Sequence, residues 1–149
     1  RAWSSNHPTS HRLATVATSN PNEAMKHELV QLTQELLNSI ADGDWVKYCS
    51  LCASDLTAFE LEARGHLVEG MGFHQFYFQA AERPRSNTTI SSPHIRELGE
   101  DVAVISYVRL VQTEDDEAKW STAQFEETRV WQRMDGKWQH VHFHRSANM

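Results

Sequence analysis

Three arginines in the C-terminal half carry the strongest chemical signal in this sequence. Arg109 shares strand parity with Ile105 and Tyr107, Arg129 with Phe125 and Trp131, and Arg145 with Val141 and Phe143. Alternation therefore puts each guanidinium on the more apolar side of its strand. A guanidinium taken out of water costs several kcal/mol unless a carboxylate or a bound anion compensates it. Two arrangements meet that demand. In one, the arginines pair separately with Glu127, Glu60 or Glu62. In the other they converge on one cavity, where planar, bidentate donors would grip a small carboxylate. Pattern alone favours the separate pairs.

Two further constellations have metal-like or redox-like spacing. His140, His142 and His144 stand at i, i+2 and i+4, so regular alternation points all three to one face of a strand. The outer two would then lie ~13 Å apart, too far to share an ion. They are read as histidines on a sheet or interface surface, and no metal is assigned. Cys49-Ser50-Leu51-Cys52 matches a redox spacing, but it falls inside a helical pattern with no preceding strand, so core packing is expected. His74 and Tyr107 are the candidate general bases of a cavity. Neither has a defined acid or base partner, so neither an enzyme nor a cofactor is expected.

Composition narrows the partners. The chain has 149 residues, 20 acidic against 14 basic, and a formal net charge of −6. That length suits one domain, and that charge argues against binding nucleic acid or anionic membrane. No apolar run approaches the ~20 residues of a membrane helix, and no signal pattern opens the sequence. Two cysteines are too few for a disulfide-built scaffold, so reduced thiols and a cytoplasmic location are expected.

The elements that must position the arginines follow from capping and periodicity. Residues 1–19, rich in Ser, Thr, Asn and His, are expected to form a flexible linker or tail, and residues 20–149 the folded domain. Asn20-Pro21-Asn22-Glu23 is a helix start, with a capping residue, Pro at the first helical position and Glu at the third. Met25, Leu29, Leu32, Leu36 and Ile40 then make one apolar stripe, and Gly43 ends it. Asp44 restarts a short helix carrying Trp45, Tyr48, Cys49 and Cys52. Leu56 to Leu61 reads as a short strand, and Phe73 to Ala81 as a helix. That helix puts Phe73, Phe76, Tyr77 and Ala80 on one face and His74, Phe78 and Ala81 on another. Apolar nearly all round, it needs cover on both sides, from the core and from a partner chain. From Asn87 the period changes to two, with strands near 88–98, 101–113, 119–134 and 137–146. Asp135-Gly136 marks a hairpin. Helices first and antiparallel strands after them predict an α+β domain, its long N-terminal helix lying in a strongly curved sheet.

Several local stretches resemble one family in succession. They are Ala41-Asp42-Gly43-Asp44-Trp45, Leu56-Thr57-Ala58-Phe59-Glu60, Leu67-Val68-Glu69-Gly70, Phe73-His74 with Phe76-Tyr77-Phe78, and Thr88-Thr89-Ile90 with Pro93-His94-Ile95. The most specific are Glu126-Glu127-Thr128-Arg129-Val130-Trp131, Asp135-Gly136-Lys137-Trp138-Gln139 and Val141-His142-Phe143-His144-Arg145-Ser146. Together, from about residue 23 to 147, they resemble the association (hub) domain of calcium/calmodulin-dependent protein kinase II, a cone-shaped domain of the nuclear transport factor 2-like type. The resemblance implies a homo-oligomer of two stacked rings, roughly 12 to 18 subunits, that clusters kinase subunits. It also implies that His74, Tyr107, Arg109, Arg129 and Arg145 line a ligand pocket, which tips the reading towards a cavity for a small carboxylate. Phe73, Phe76 and Phe78 are expected at the oligomer interface. No Gly-rich nucleotide loop or His-Arg-Asp catalytic loop is present. The chain departs from the family at Ala80-Ala81-Glu82-Arg83-Pro84-Arg85, where a Trp-containing stretch is usual, and in the acidic loop Thr113 to Lys119. Two other readings stand beside the hub: a dimeric small-molecule-binding protein or enzyme of the same fold, and an adaptor that mixes into the hub of a full-length kinase.

Overall fold

A computed structural model describes residues 20–79 and 83–147. The expected linker, residues 1–19, lies outside them, as do Ala80 and Ala81 of the expected third helix. Helix α1 spans Pro21–Asp42; the Asn20 side chain accepts from the Asn22 N–H at its start, and Gly43 (φ 69°) closes it with its N–H on the last carbonyls. Helix α2 (Trp45–Leu51) restarts at once, because the Asp44 side chain caps the Lys47 N–H. Strand β1 (Cys52–Phe59) begins directly where α2 ends, and a 3-10 turn, Leu61–Ala63, leads to the two-residue strand β2 (Val68–Glu69). Helix α3 (Gly72–Gln79) precedes four long strands: β3 (Ser86–Glu97), β4 (Val102–Glu114), β5 (Trp120–Met134) and β6 (Lys137–Ala147).

The strands form one sheet in the order β2-β1-β6-β5-β4-β3. The α+β class and long helix agree with expectation, but the sheet is mixed. β1 runs parallel to β6, and the other neighbours are antiparallel. A strand placed before α3 in the sequence meets the last strand of the chain, a long-range pairing that no local pattern encodes. The Asp135-Gly136 turn carries both residues at positive φ, 50° and 75°, as a two-residue hairpin requires.

One face of the sheet and the stripe of α1 make a single core, with Leu29, Leu36, Leu37, Ala103, Ile105 and Trp131 almost fully buried. The stripe is rotated slightly from the expected one. Leu37 replaces Leu32 among the buried positions, and Thr33 is buried by returning its hydroxyl to the Leu29 carbonyl at 2.7 Å. β1 starts four residues earlier than the expected strand and ends two earlier, which takes Cys52 out of the helix. Cys52 is buried in the core and Cys49 is exposed on α2, so core packing applies to one cysteine of the pair and not the other.

A register shift between β5 and β6 corrects the reading of the three histidines. Val130 pairs with His142 but Trp131 pairs with His140, so Val141 is an extra residue, and the two sides of the bulge have opposite parity. His140 points inward and is fully buried, while His142 and His144 stay on the outer face beside Phe59.

Candidate functional site

The inner face of β4, β5 and β6 presents Arg109, Arg129 and Arg145 to one cavity of about 240 Å³, closed on its other sides by α2, α3 and the segment after β1. Tyr48, Glu60, His74 and Phe143 complete its wall. Four of the five expected pocket residues, His74, Arg109, Arg129 and Arg145, therefore line a common space. Tyr107 stands behind them. Its hydroxyl donates to Glu127 Oε2 and accepts from Arg129 Nε at 2.8 Å.

Both arrangements allowed by the sequence coexist here. Glu127 compensates two of the arginines: Arg129 Nη2 donates to its Oε2 at 2.7 Å and Arg109 Nη1 to its Oε1 at 3.3 Å. The glutamate side chain is wholly buried. Burial by itself would raise the Glu127 carboxyl, but Arg129 and Arg109 outweigh it and hold the pKa at about 2. Burial likewise works against the charge on Arg129, and Glu127 outweighs it, so that guanidinium is held even more firmly protonated than usual. Arg109 is secured further by its Nε bond to Thr88 Oγ1 at 3.0 Å. Arg129 fills its remaining directions with His140 Nε2 at 3.3 Å and the face of Phe143, 4.5 Å from the ring centre. Since arginine only donates, His140 accepts through Nε2 and turns its Nδ1 towards Cys52 Sγ, 3.6 Å away. Burial, then Arg129, keeps that imidazole neutral.

Arg145 is the most accessible of the three. It donates to Glu62 Oε2 at the rim and lies 3.6 Å from Glu60 Oε2. Glu60 itself is largely withdrawn from water, and burial raises its pKa to about 7 although Arg145 opposes the shift. His74 Nδ1 is 3.5 Å from Glu60 Oε1, but burial followed by Arg129 and Arg145 lowers the histidine to about 4. At neutral pH that contact is not an ion pair. Four arginines, Arg83 among them, thus line a cavity whose acidic groups are the ionised buried Glu127, the half-titrated Glu60 and the rim Glu62, leaving it short of negative charge.

Three buried polar atoms of these residues lack a hydrogen-bond partner: Glu60 Oε1, His74 Nε2 and Arg145 Nε. Buried polar groups are nearly always satisfied, and these three cluster around one cavity. Arginine parity put the three guanidiniums on the more apolar sides of their strands but by itself favoured separate pairs with Glu127, Glu60 or Glu62; the family resemblance supplied the shared cavity. Tyr48 and Arg83 were missed as cavity residues, since they lie in a helix and in a loop, where strand alternation says nothing about direction; Glu60 was expected only as the partner of a separate arginine. Among the described residues no group of three His, Cys, Asp or Glu side chains could hold a metal.

Two apolar surfaces lie outside this core. On α3 the three expected interface residues divide: Phe73 and Phe78 pack against the core, whereas Phe76 is 68% exposed beside the exposed Tyr77. The second surface was not anticipated. Residues Val102, Val104, Val108 and Leu110 of β4 and Val130 of β5 fall on the outer face of the sheet, only half-buried and outside the core cluster. The signal was available, because β4 is almost continuously apolar instead of alternating, as strands covered on both faces are.

Known proteins share this architecture. The family model of the calcium/calmodulin dependent protein kinase II association domain matches residues 25–149. The delta subunit of calcium/calmodulin-dependent protein kinase type II from Oryctolagus cuniculus is 50% identical over 130 residues, which are 85% of this chain and 24% of that protein. The chain thus spans about a quarter of the length of the kinase relatives it matches. Among solved structures, the CaMKII hub homology domain from C. reinhardtii superposes with a TM-score of 0.80 at 44% identity, over 84% of this chain and 99% of that one. The association domain of the C. elegans kinase does so with a TM-score of 0.80 at 41% identity, over 84% and 97%. A nuclear transport factor 2-like protein from Salmonella enterica, 16% identical with a TM-score of 0.68 over 86% and 94%, shares the fold alone. With its cavity, its sheet and nearly all of its described residues inside that match, the chain belongs to the calcium/calmodulin dependent protein kinase II association domain family.

Proposed function

We propose that this chain is a self-association hub whose copies close into a two-tiered ring and so gather kinase subunits, with a cavity that takes a small carboxylate. The observation that carries the assembly reading is the aliphatic outer face of β4 and β5, which belongs to no core among the described residues. The exposed Phe76 and Tyr77 of α3 supply a second surface on a different element. A ring of two tiers needs two dissimilar contacts, one heterologous around the ring and one isologous between tiers, and two separate apolar surfaces suit that need. Drawing many copies together raises the effective concentration of whatever is joined to each of them. Full-length kinase subunits are the natural partners on this reading, and unbridged Cys49 and Cys52 suit a reducing cytoplasm. No described helix is long and apolar enough to cross a membrane.

Native mass spectrometry tests the assembly. The chain is expected to give roughly ten or more subunits, and Phe76→Asp and Val104→Asp to shift it to smaller species, because each puts a charge where an apolar contact must form. A species of about two subunits would favour a dimeric binding protein or enzyme of the same fold. The ligand reading is tested by calorimetric titration of butanoate. Arg145→Gln, which removes the most accessible guanidinium, is expected to weaken binding by about tenfold or more, in line with the loss of a charge-assisted hydrogen bond. Equal heats from both proteins would remove the carboxylate.

A further inference from the structure

We infer that Arg83 sets the length of ligand that the cavity admits, acting as a strut between it and an adjoining groove. Resting on the carboxylate reading above, this concerns a residue that the pattern analysis did not single out. Arg83 lines two spaces at once. One is the arginine cavity; the other is a groove of about 220 Å³ bordered by Ala41, Pro84, Ser86, Thr88 and Val111. Ile40 and Arg109 also border both, so the two spaces adjoin at Arg83.

The strut is held by backbone. Arg83 Nη1 donates to the Ile40 carbonyl at 2.7 Å, and Nη2 donates to the carbonyls of Tyr77 at 3.1 Å and Phe78 at 3.0 Å. Its guanidinium also lies over the Phe78 ring, 5.1 Å from the centre. These carbonyls belong to the last turns of α1 and α3, where helices leave acceptors unsatisfied and favour a positive charge. Neither helix has a basic residue of its own in its last turn. Arg83 therefore ties two helix ends together across the opening between cavity and groove. The fit is close at Gly43, where a Cβ would come within 2.6 Å of Arg83 Nε.

A ligand carboxylate seated at Arg109 or Arg145 has the strut in the way of any chain reaching towards the groove. Shortening residue 83 joins the two spaces; filling the same volume without the charge does not. Because Arg83 is exposed and contributes no side chain to the core, its replacement leaves the arginine–glutamate cluster intact.

The experiment titrates butanoate, hexanoate and octanoate calorimetrically into the wild-type chain, Arg83→Ala and Arg83→Met. Wild type is expected to gain nothing from the longer chains. Arg83→Ala and Arg83→Met lose the same cavity-lining charge, so each is read against its own butanoate affinity; Arg83→Ala is expected to bind octanoate about tenfold tighter than butanoate, the gain of roughly two newly buried methylenes. Arg83→Met should keep the wild-type preference, since it fills the space. Parallel chain-length profiles for wild type and Arg83→Ala, with heats present, overturn the strut and leave the carboxylate site standing. Absence of heat from every acid in both proteins overturns the carboxylate site and the strut together.

Discussion

Replacing Glu127 with glutamine is expected to destabilise the domain by about 3–5 kcal/mol, the usual cost of removing one partner from a buried ion pair. Arg109 and Arg129 are 6% and 1% exposed and share this one carboxylate. The amide leaves two buried positive charges facing each other, and the Tyr107 hydroxyl and Arg129 Nε lose an ionised acceptor. Arg129 is packed between His140 and Phe143. Glu62→Gln makes a fitting contrast. It also removes a carboxylate bonded to an arginine, but from the rim, where an ion pair contributes about 0–1 kcal/mol. Urea unfolding of the two variants should separate them clearly; a Glu127→Gln midpoint close to that of wild type would mean that the cluster does not need its carboxylate.

The same glutamate fixes how stability responds to acid. Its folded pKa of about 2 lies below the ordinary carboxylate value of 4.5. The unfolded state therefore binds the proton more readily. The stabilisation is fully present above pH 4.5 and drains away as pH falls towards 2. In Glu127→Gln that part of the acid sensitivity should vanish.

Much of this cluster was legible because strand alternation is a two-valued code. Given a strand, Arg129 and Glu127 share a face, and Arg109 shares one with Tyr107. The long helix was equally plain from Asn20, Pro21 and Gly43, since capping residues act within a few positions of themselves. What stayed hidden depends on contacts distant in sequence. The parallel pairing of β1 with β6 joins residues more than eighty positions apart, as in Ala58 with Phe143. The bulge at Val141 reverses parity within one strand, which sends His140 into the core and breaks the three-histidine face. Glu60, expected only as the partner of one arginine, gives the cavity its titratable carboxyl because the fold brings it against His74 of α3 and Arg145 of β6.

That carboxyl leads to the second large effect: carboxylate binding should weaken about tenfold for each pH unit above 7, the linkage expected when one proton must be taken up. A ligand carboxylate held by Arg145 enters the immediate neighbourhood of Glu60, which lies 3.6 Å from the same guanidinium. Two carboxylates in one low-dielectric site do not both ionise readily, so the ligand binds best when Glu60 carries a proton. With the Glu60 pKa at about 7, the neutral form dominates at pH 6 and has become scarce by pH 9. His74, lowered to about 4, is neutral throughout. Tyr48, raised by burial, is neutral as well, and arginine side chains keep their protons. Glu62 stands at the rim, already bonded to Arg145. Calorimetric titration of butanoate between pH 6 and 9 should show the affinity falling about a hundredfold overall, with proton uptake, read in buffers of different ionisation heat, rising from near none at pH 6 to about one per ligand at pH 9. Glu60→Gln, permanently neutral at that position, should bind with an affinity nearly independent of pH. If the variant keeps the wild-type slope, the proton is taken up elsewhere and Glu60 is not the gate on the charge of the cavity.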